Sequence, residues 1–195
     1  MVEAGTQTRA ERTLPWQTLR RADHGVYVMH VPNHAESTPH DHVFHEVVYV
    51  ESGTAEHESA EGRRRLRPGD VIVLAPQVWH GYRRPRGLTI YNVLIDSRLM
   101  IRVWPLLSDV EGAFDLLRRR AARPAEAPPR VLHASPGRQP VLLARLRAMH
   151  AEQEGRRNGW RAAVTAGLLD LLVETVRLAR EQAGAASAPA AGRTE

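Results

Sequence analysis

The sequence predicts a mostly β protein, a sandwich or closed barrel followed by C-terminal α-helices. Three observations predict it. Short runs rich in β-branched and aromatic residues, separated by Gly, Pro and Asp, fill residues 24–96. That pattern ends after Asp96, and two long stretches with helical spacing of apolar residues occupy 137–183. Regular short strands with turn signals between them are the mark of a sheet folded on itself.

The expected strands are Val26–Val31, Phe44–Val50, Ala55–Ser59, Val71–Ala75, Trp79–Tyr82 and Leu88–Ile95. Residues 1–23, with Pro15 and Trp16 and little periodicity, read as an N-terminal arm. Beyond the barrel, Leu99, Ile101, Val103, Trp104 and Leu106 lead into Phe114, Leu116 and Leu117 without strand-like alternation, so 97–136 is expected to hold short helices and then an Ala- and Pro-rich loop. Of the two convincing helices, the first opens at Pro140, a residue suited to the first helical position, and stacks Leu142, Leu146 and Met149 on one stripe. The second, about Gly159 to Ala183, puts Val164, Leu168, Leu171, Leu172, Thr175 and Leu178 on one face, with Leu169, Val173 and Val176 on its flank. An apolar surface that wide exceeds what one neighbour covers. The expectation is therefore shared use, partly against the barrel and partly against a second subunit. Residues 184–195 read as a small-residue linker tail.

Composition sets limits. The 195 residues suffice for one domain with appendages, and the absence of cysteine excludes disulfides and thiolate metal sites, so any metal must use His, Asp or Glu. No apolar run approaches the roughly 18 residues of a membrane span, and the chain is expected to be cytoplasmic. Every basic residue is Arg, which looks like compositional bias, so the net charge of +5 argues only weakly for nucleic acid. The densest basic run, Arg63, Arg64, Arg65 and Arg67, precedes the turn sequence Pro68-Gly69-Asp70 and reads as a solvated hairpin.

The chemistry concentrates in Thr38-Pro39-His40-Asp41-His42-Val43-Phe44-His45-Glu46, with Gly53 following at a spacing of His-x-His-x3-Glu-x6-Gly. Residues two apart on a strand share a face, so His40, His42 and Glu46 can all point inward, with Phe44, Val48 and Val50 lining the same interior and His45 and Tyr49 pointing away. His80, four residues after Pro76, is a fourth candidate from a neighbouring strand. Three imidazoles and a carboxylate suit a divalent ion such as Zn, Mn, Fe or Ni with positions left open, and they suit equally a polar molecule held by hydrogen bonds. Both readings stay open. The other histidines, His24, His30, His34, His57, His133 and His150, read as surface or loop residues, with His30 and His34 near enough to line a pocket mouth.

These segments resemble the cupin superfamily, and more closely the sensor domains of AraC-type transcription regulators. The first cupin motif is nearly complete, lacking only its usual Gly where His34-Ala35-Glu36-Ser37 stands; Pro76-Gln77-Val78-Trp79-His80 departs further, having no Gly and one residue fewer. That shorter form, with Arg67-Pro68-Gly69-Asp70 before it and Gly81-Tyr82 after it, is similar to the AraC-type sensors. The run His42–Thr54 together with Tyr91-Asn92-Val93-Leu94 is closest to their rhamnose-responsive branch. The resemblance implies a single cupin (jelly-roll, double-stranded β-helix) barrel at 24–96 holding a small effector, a sugar or similar polar ligand, with an arm that folds over it. It further implies a two-helix hairpin at 137–183 that pairs two subunits through Leu142, Leu146, Met149, Val164, Leu168, Leu171, Leu172 and Leu178. The implied effector contacts are His40, His42, Phe44, Glu46, Val48, His80, Tyr82 and Tyr91, and the implied metal ligands are His40, His42, Glu46 and His80. DNA would be reached only through a helix-turn-helix region beyond residue 183 that this chain lacks, so a non-enzymatic sensing module is expected. The rival is a metal-dependent cupin enzyme, a dioxygenase, isomerase or epimerase.

Overall fold

The computed structural model describes residues 12–15, 24–117 and 128–187. Eight strands form one mixed sheet: β1 (Arg12–Leu14), β2 (Val26–Val31), β3 (Ser37–His42), β4 (His45–Ser59), β5 (Gly62–Leu66), β6 (Asp70–Leu74), β7 (His80–Ile95) and β8 (Arg130–His133). The helices are α1 (Ser97–Val103), a 3₁₀ turn at Trp104–Leu106, α2 (Ala113–Leu117), α3 (Gln139–Gly155) and α4 (Trp160–Ser187). The cupin-like barrel with C-terminal helices is therefore present.

Two long strands, β4 and β7, carry the closure. They pair antiparallel along their whole length, from His45 opposite Ile95 to Ser59 opposite His80, with register breaks between Val50 and Glu56. The first half of β4 pairs with β6 and the last half of β7 with β2. Past the breaks, β4 pairs with β5 instead, while the start of β7 takes β3, which in turn takes β1 as a parallel partner. Bulges bend a strand and raise its twist, so two continuous strands serve both walls of the barrel. The separate segments expected at 44–50 and 55–59, and at 79–82 and 88–95, are in fact single bent strands.

β6, the first half of β4 and the end of β7 are buried on both sides, whereas β5 is exposed along most of its length. Val48, Val50, Ile72, Leu74, Tyr82, Leu88 and Ile90 form the barrel interior, while Val47, Tyr49, Val71, Val73, Tyr91, Val93 and Ile95 pack outward against the helices. The alternation is strict, which is why runs such as Val71-Ile72-Val73-Leu74 are apolar throughout.

The helices correct one expectation. Leu142, Leu146, Met149, Val164, Leu168, Leu171, Leu172 and Leu178, assigned to subunit pairing, are each no more than 3% exposed and belong to the single core shared with the outer barrel face. The 28-residue α4 is long enough to lie against α3, α2 and β8 together, so its wide apolar surface is consumed within one chain. Gln153 of α3 makes the bond to the sheet specific. Its side chain accepts from the Val28 backbone N–H at 2.8 Å and donates to the Val28 carbonyl at 2.9 Å, occupying the edge of β2 as a further strand would.

Smaller departures have local causes. The loop expected over 121–136 contains β8, which Asp70 fixes by accepting from His133 Nδ1 at 2.8 Å and which extends the sheet beyond β6. The Arg63–Arg65 segment is strand β5, an exposed strand paired with the end of β4, in keeping with the solvated hairpin expected there. In the expected arm, Arg12–Leu14 adds a strand to the edge of β3; residues 1–11 and 16–23 lie outside the described residues. α4 continues to Ser187, past the start of the tail expected from 184, and 188–195 lie outside the described residues. No helix among the described residues is long and apolar enough to cross a membrane.

Two predictions follow from these constraints. Gly53 sits in the register break with φ of 74°, and a Cβ there would lie 2.2 Å from the Gly87 carbonyl oxygen, whereas at Gly62, with φ of 96°, a Cβ would meet nothing. Gly53→Ala is expected to cost about 2 kcal/mol or more and Gly62→Ala distinctly less, compared by thermal denaturation. Gln153→Leu strands both polar groups of Val28 and is expected to cost about 2–4 kcal/mol, read by urea unfolding.

Candidate functional site

Five polar residues of the barrel interior come from four strand segments. His42 ends β3, Glu46 is the second residue of β4, His57 lies past the bend in β4, and His80 and Tyr82 open β7. All five are buried, none more than 4% exposed.

Glu46 is the hub. Its Oε2 lies 3.0 Å from His42 Nε2 and 3.5 Å from His80 Nε2. The donor atoms of His42, Glu46 and His80 all fall within 4.8 Å of one another. His42 Nδ1 is 2.7 Å from the Phe44 carbonyl, which can only accept, so that nitrogen carries the proton and Nε2 is turned toward the carboxylate. A neutral imidazole in that tautomer opposes a lone pair to a carboxylate oxygen. The contact calls for a proton or a cation between them. Phe44 braces the ring by stacking on it at 4.3 Å and 5°.

His80 Nδ1 is 3.4 Å from His57 Nε2, and its Nε2 has no hydrogen-bond partner. Burial, reinforced by the neighbouring His57, His42, His40 and His34, holds the His80 imidazole well below the usual histidine range. Burial likewise pushes His57 down to about 4, against the opposing pull of Glu46. Both rings are thus neutral at pH 7, and His80 turns Nε2 inward, as a donor or as an acceptor according to its tautomer. The Tyr82 hydroxyl, held well above its ordinary range by burial and then by Glu46, remains protonated as a donor and has no hydrogen-bond partner. Asn92, opposite Val48 in the register and so on the interior face, has a buried Oδ1 in the same condition.

The structure thus brings together His42, Glu46, His80 and Tyr82 of the expected residues, with Phe44 and Val48 as apolar neighbours. His40 stands beside the trio: it is the direct partner of His80 across β3 and β7 and packs on its ring at 4.6 Å, but it is half-buried and its Nδ1 is within hydrogen-bond distance of the Thr38 carbonyl. Tyr91 does not belong with them. It is paired with Tyr49 on the outward face, stacks on His30 at 4.5 Å, and lies in the helix-side core. His34, by contrast, packs on Tyr82 at 4.8 Å.

Sequence reasoning missed two interior residues, His57 and Asn92. Counting by twos from Glu46 puts His57 on the outer face. The register breaks around Gly53 reverse that parity, placing Ala55 and His57 inward. The glycine was the available signal. For Asn92 the alternation itself sufficed, since it is two residues from Ile90 and Leu94.

Two imidazole nitrogens and one carboxylate with open positions form a donor set suited to a divalent transition metal. The residues fit such an ion, and equally they offer donors and acceptors to a small polar molecule.

Comparison with known proteins gives the family. No curated protein matches the sequence. Among solved structures, ToxT from Vibrio cholerae, as the apo K231A protein, is similar over 63% of this chain and 47% of its own, with 10% identity and a TM-score of 0.44. KdgF from a Halomonas species is similar over 39% and 74% with 30% identity and a TM-score of 0.33. A cupin-2 domain containing protein from Shewanella frigidimarina covers 35% and 69% with 21% identity and a TM-score of 0.33. The profile of the AraC-like ligand binding domain matches residues 21–172, most of the chain and all of the interior just described, and the chain belongs to that family.

Proposed function

We propose that the chain is the effector-sensing module of an AraC-type transcription regulator, and that its effector is a small polar molecule, a sugar or close analogue, held inside the barrel. One observation carries this reading. Three interior polar atoms, His80 Nε2, Tyr82 OH and Asn92 Oδ1, are buried and without hydrogen-bond partners among the described residues. Buried polar groups left unpaired are costly, and a ligand rich in hydroxyls satisfies all three at once. An apolar ligand would satisfy none.

A divalent ion has a place in the same reading. His42, Glu46 and His80 would hold it, with His40 alongside, and when bound it would supply a Lewis-acid anchor for an effector oxygen. The trio also favours the second reading, a metal-dependent enzyme of the cupin type. The two differ in outcome: a sensor returns its ligand unchanged.

Pairing of two copies is part of the proposal, through a surface other than the α3–α4 stripe. Ile101, Leu106 and Phe114 are 69%, 64% and 59% exposed and provide an apolar strip on α1, the 3₁₀ turn and α2. In a regulator of this type DNA contact would be made through helix-turn-helix units joined to such a module.

The direct test is calorimetric titration with L-rhamnose and a panel of other monosaccharides. Saturable binding is expected, weakened about tenfold by Tyr82→Phe and by Asn92→Ala, each removing one hydrogen bond to the ligand. Metal-dependent conversion of a sugar into product overturns the sensor reading. For the metal, protein purified without chelator and analysed for elements is expected to lose its ion in His42→Ala and Glu46→Gln while retaining most of it in His40→Ala. Equal loss in all three variants places His40 in the ligand set. Ile101→Glu combined with Phe114→Glu is expected to halve the mass by sedimentation equilibrium, and an unchanged mass rejects this strip as the pairing surface.

A further inference from the structure

Outside the barrel interior, the arginine-rich hairpin forms a second concave site. A cavity of about 220 Å³ is lined by Thr54, Ala55 and Glu56 of β4, Arg65 of β5, and Arg84 and Arg86 of β7. It lies where β4 has turned past its register breaks and is flanked by β5 on one side and β7 on the other: Glu56 is paired with Arg65 in one register and Thr54 with Arg86 in the other. The same strand faces two ways there, since Ala55 packs in the barrel interior while Glu56 lies among the arginines.

The charge balance of the cavity is uneven. Glu56 is its one carboxylate, and it accepts from Arg84 Nη1 at 3.1 Å. Arg65 and Arg86 have no carboxylate partner among the described residues, because the neighbouring Glu58 is engaged by Arg63 and Arg83. Two positive charges on the cavity wall are therefore uncompensated. Arg84 takes φ of 49°, a conformation unusual for a residue with a side chain, and Gly87 at 57° follows, so this wall departs sharply from a regular strand.

We propose that this cavity binds a phosphoryl group. A guanidinium offers paired N–H donors matched to phosphate oxygens, and a phosphate monoester carries close to two negative charges at neutral pH, which is the charge that Arg65 and Arg86 leave unmatched. The cavity volume of about 220 Å³ suits a compact anion. It is separate from the interior trio and does not rest on the sensing proposal. The phosphoryl group belongs either to a small phosphorylated molecule or to a nucleic-acid backbone.

The experiment is titration of the full chain with inorganic phosphate, followed by amide NMR shifts at constant ionic strength, with a parallel titration by a short duplex DNA of arbitrary sequence. Saturable phosphate binding is expected, with the largest shifts at residues 54–56, 65 and 84–87. Arg65→Ala and Arg86→Ala are each expected to weaken it at least tenfold. Arg102→Ala, an exposed arginine of α1, and Tyr82→Phe are expected to leave it unchanged. Duplex binding that is lost in the same variants, alongside phosphate binding, supports the site and identifies the backbone as the source; phosphate binding without duplex binding supports it and identifies a small molecule. Linear, unsaturating shifts, an adventitious response equal in wild type and in Arg86→Ala, or duplex binding without phosphate binding overturns the proposal. Circular dichroism of each variant shows that it has kept its fold, and Arg86→Glu, which reverses charge at an exposed position, is expected to abolish binding where Arg86→Ala only weakens it.

Discussion

The constraint on which the interior depends is the burial of one carboxylate. Glu46 is taken out of water inside the barrel, and the groups that meet it are the imidazoles of His42 and His80, of which His80 is itself disfavoured in charged form by burial. A carboxylate and neutral rings do not neutralise one another. The arrangement is stable when a proton or a cation lies among them. Tyr82 and Asn92 extend the same condition along the wall.

The rest of the fold makes that interior possible by burying it. Strands buried on both sides separate two cores, one within the barrel and one between barrel and helices. The helices act as a cover for the outer face, held by Gln153 at Val28 and by Arg147 at Glu51, where a 2.7 Å ion pair joins α3 to β4. Changes in the interior can therefore reach the helices only through the wall strands, whose alternate residues touch one core and then the other. In a sensing module this is the route by which a ligand would be felt outside.

Much of this was legible in the sequence because two periodicities are well expressed. The strand at Val26–Val31 is predicted to the residue, α3 and α4 within a few residues, and the inward parity of His42, Glu46 and Val48 follows from counting by twos. The losses occur where a non-local fact intervenes. His57 is hidden by bulges at the close approach of Gly53 to Gly87 between the paired strands β4 and β7, and Tyr91 faces the helices because its pairing with Tyr49 fixes its side of the sheet. The α4 surface was too wide for one partner but not for three, and which elements lie beside a helix is set by tertiary packing, not by its own periodicity. β8 was missed because a four-residue strand in a Pro-rich stretch carries almost no pattern.

The most direct test of the central claim is side-chain ¹⁵N NMR of the histidines, recorded before and after saturation with a divalent ion or with a bound monosaccharide. If the buried carboxylate and its imidazoles are the gripping centre, the Nε2 resonances of His42 and His80 move while those of His133, on β8 and engaged with Asp70, stay in place. Movement confined to histidines outside the barrel, with His42 and His80 unaffected, would contradict the account.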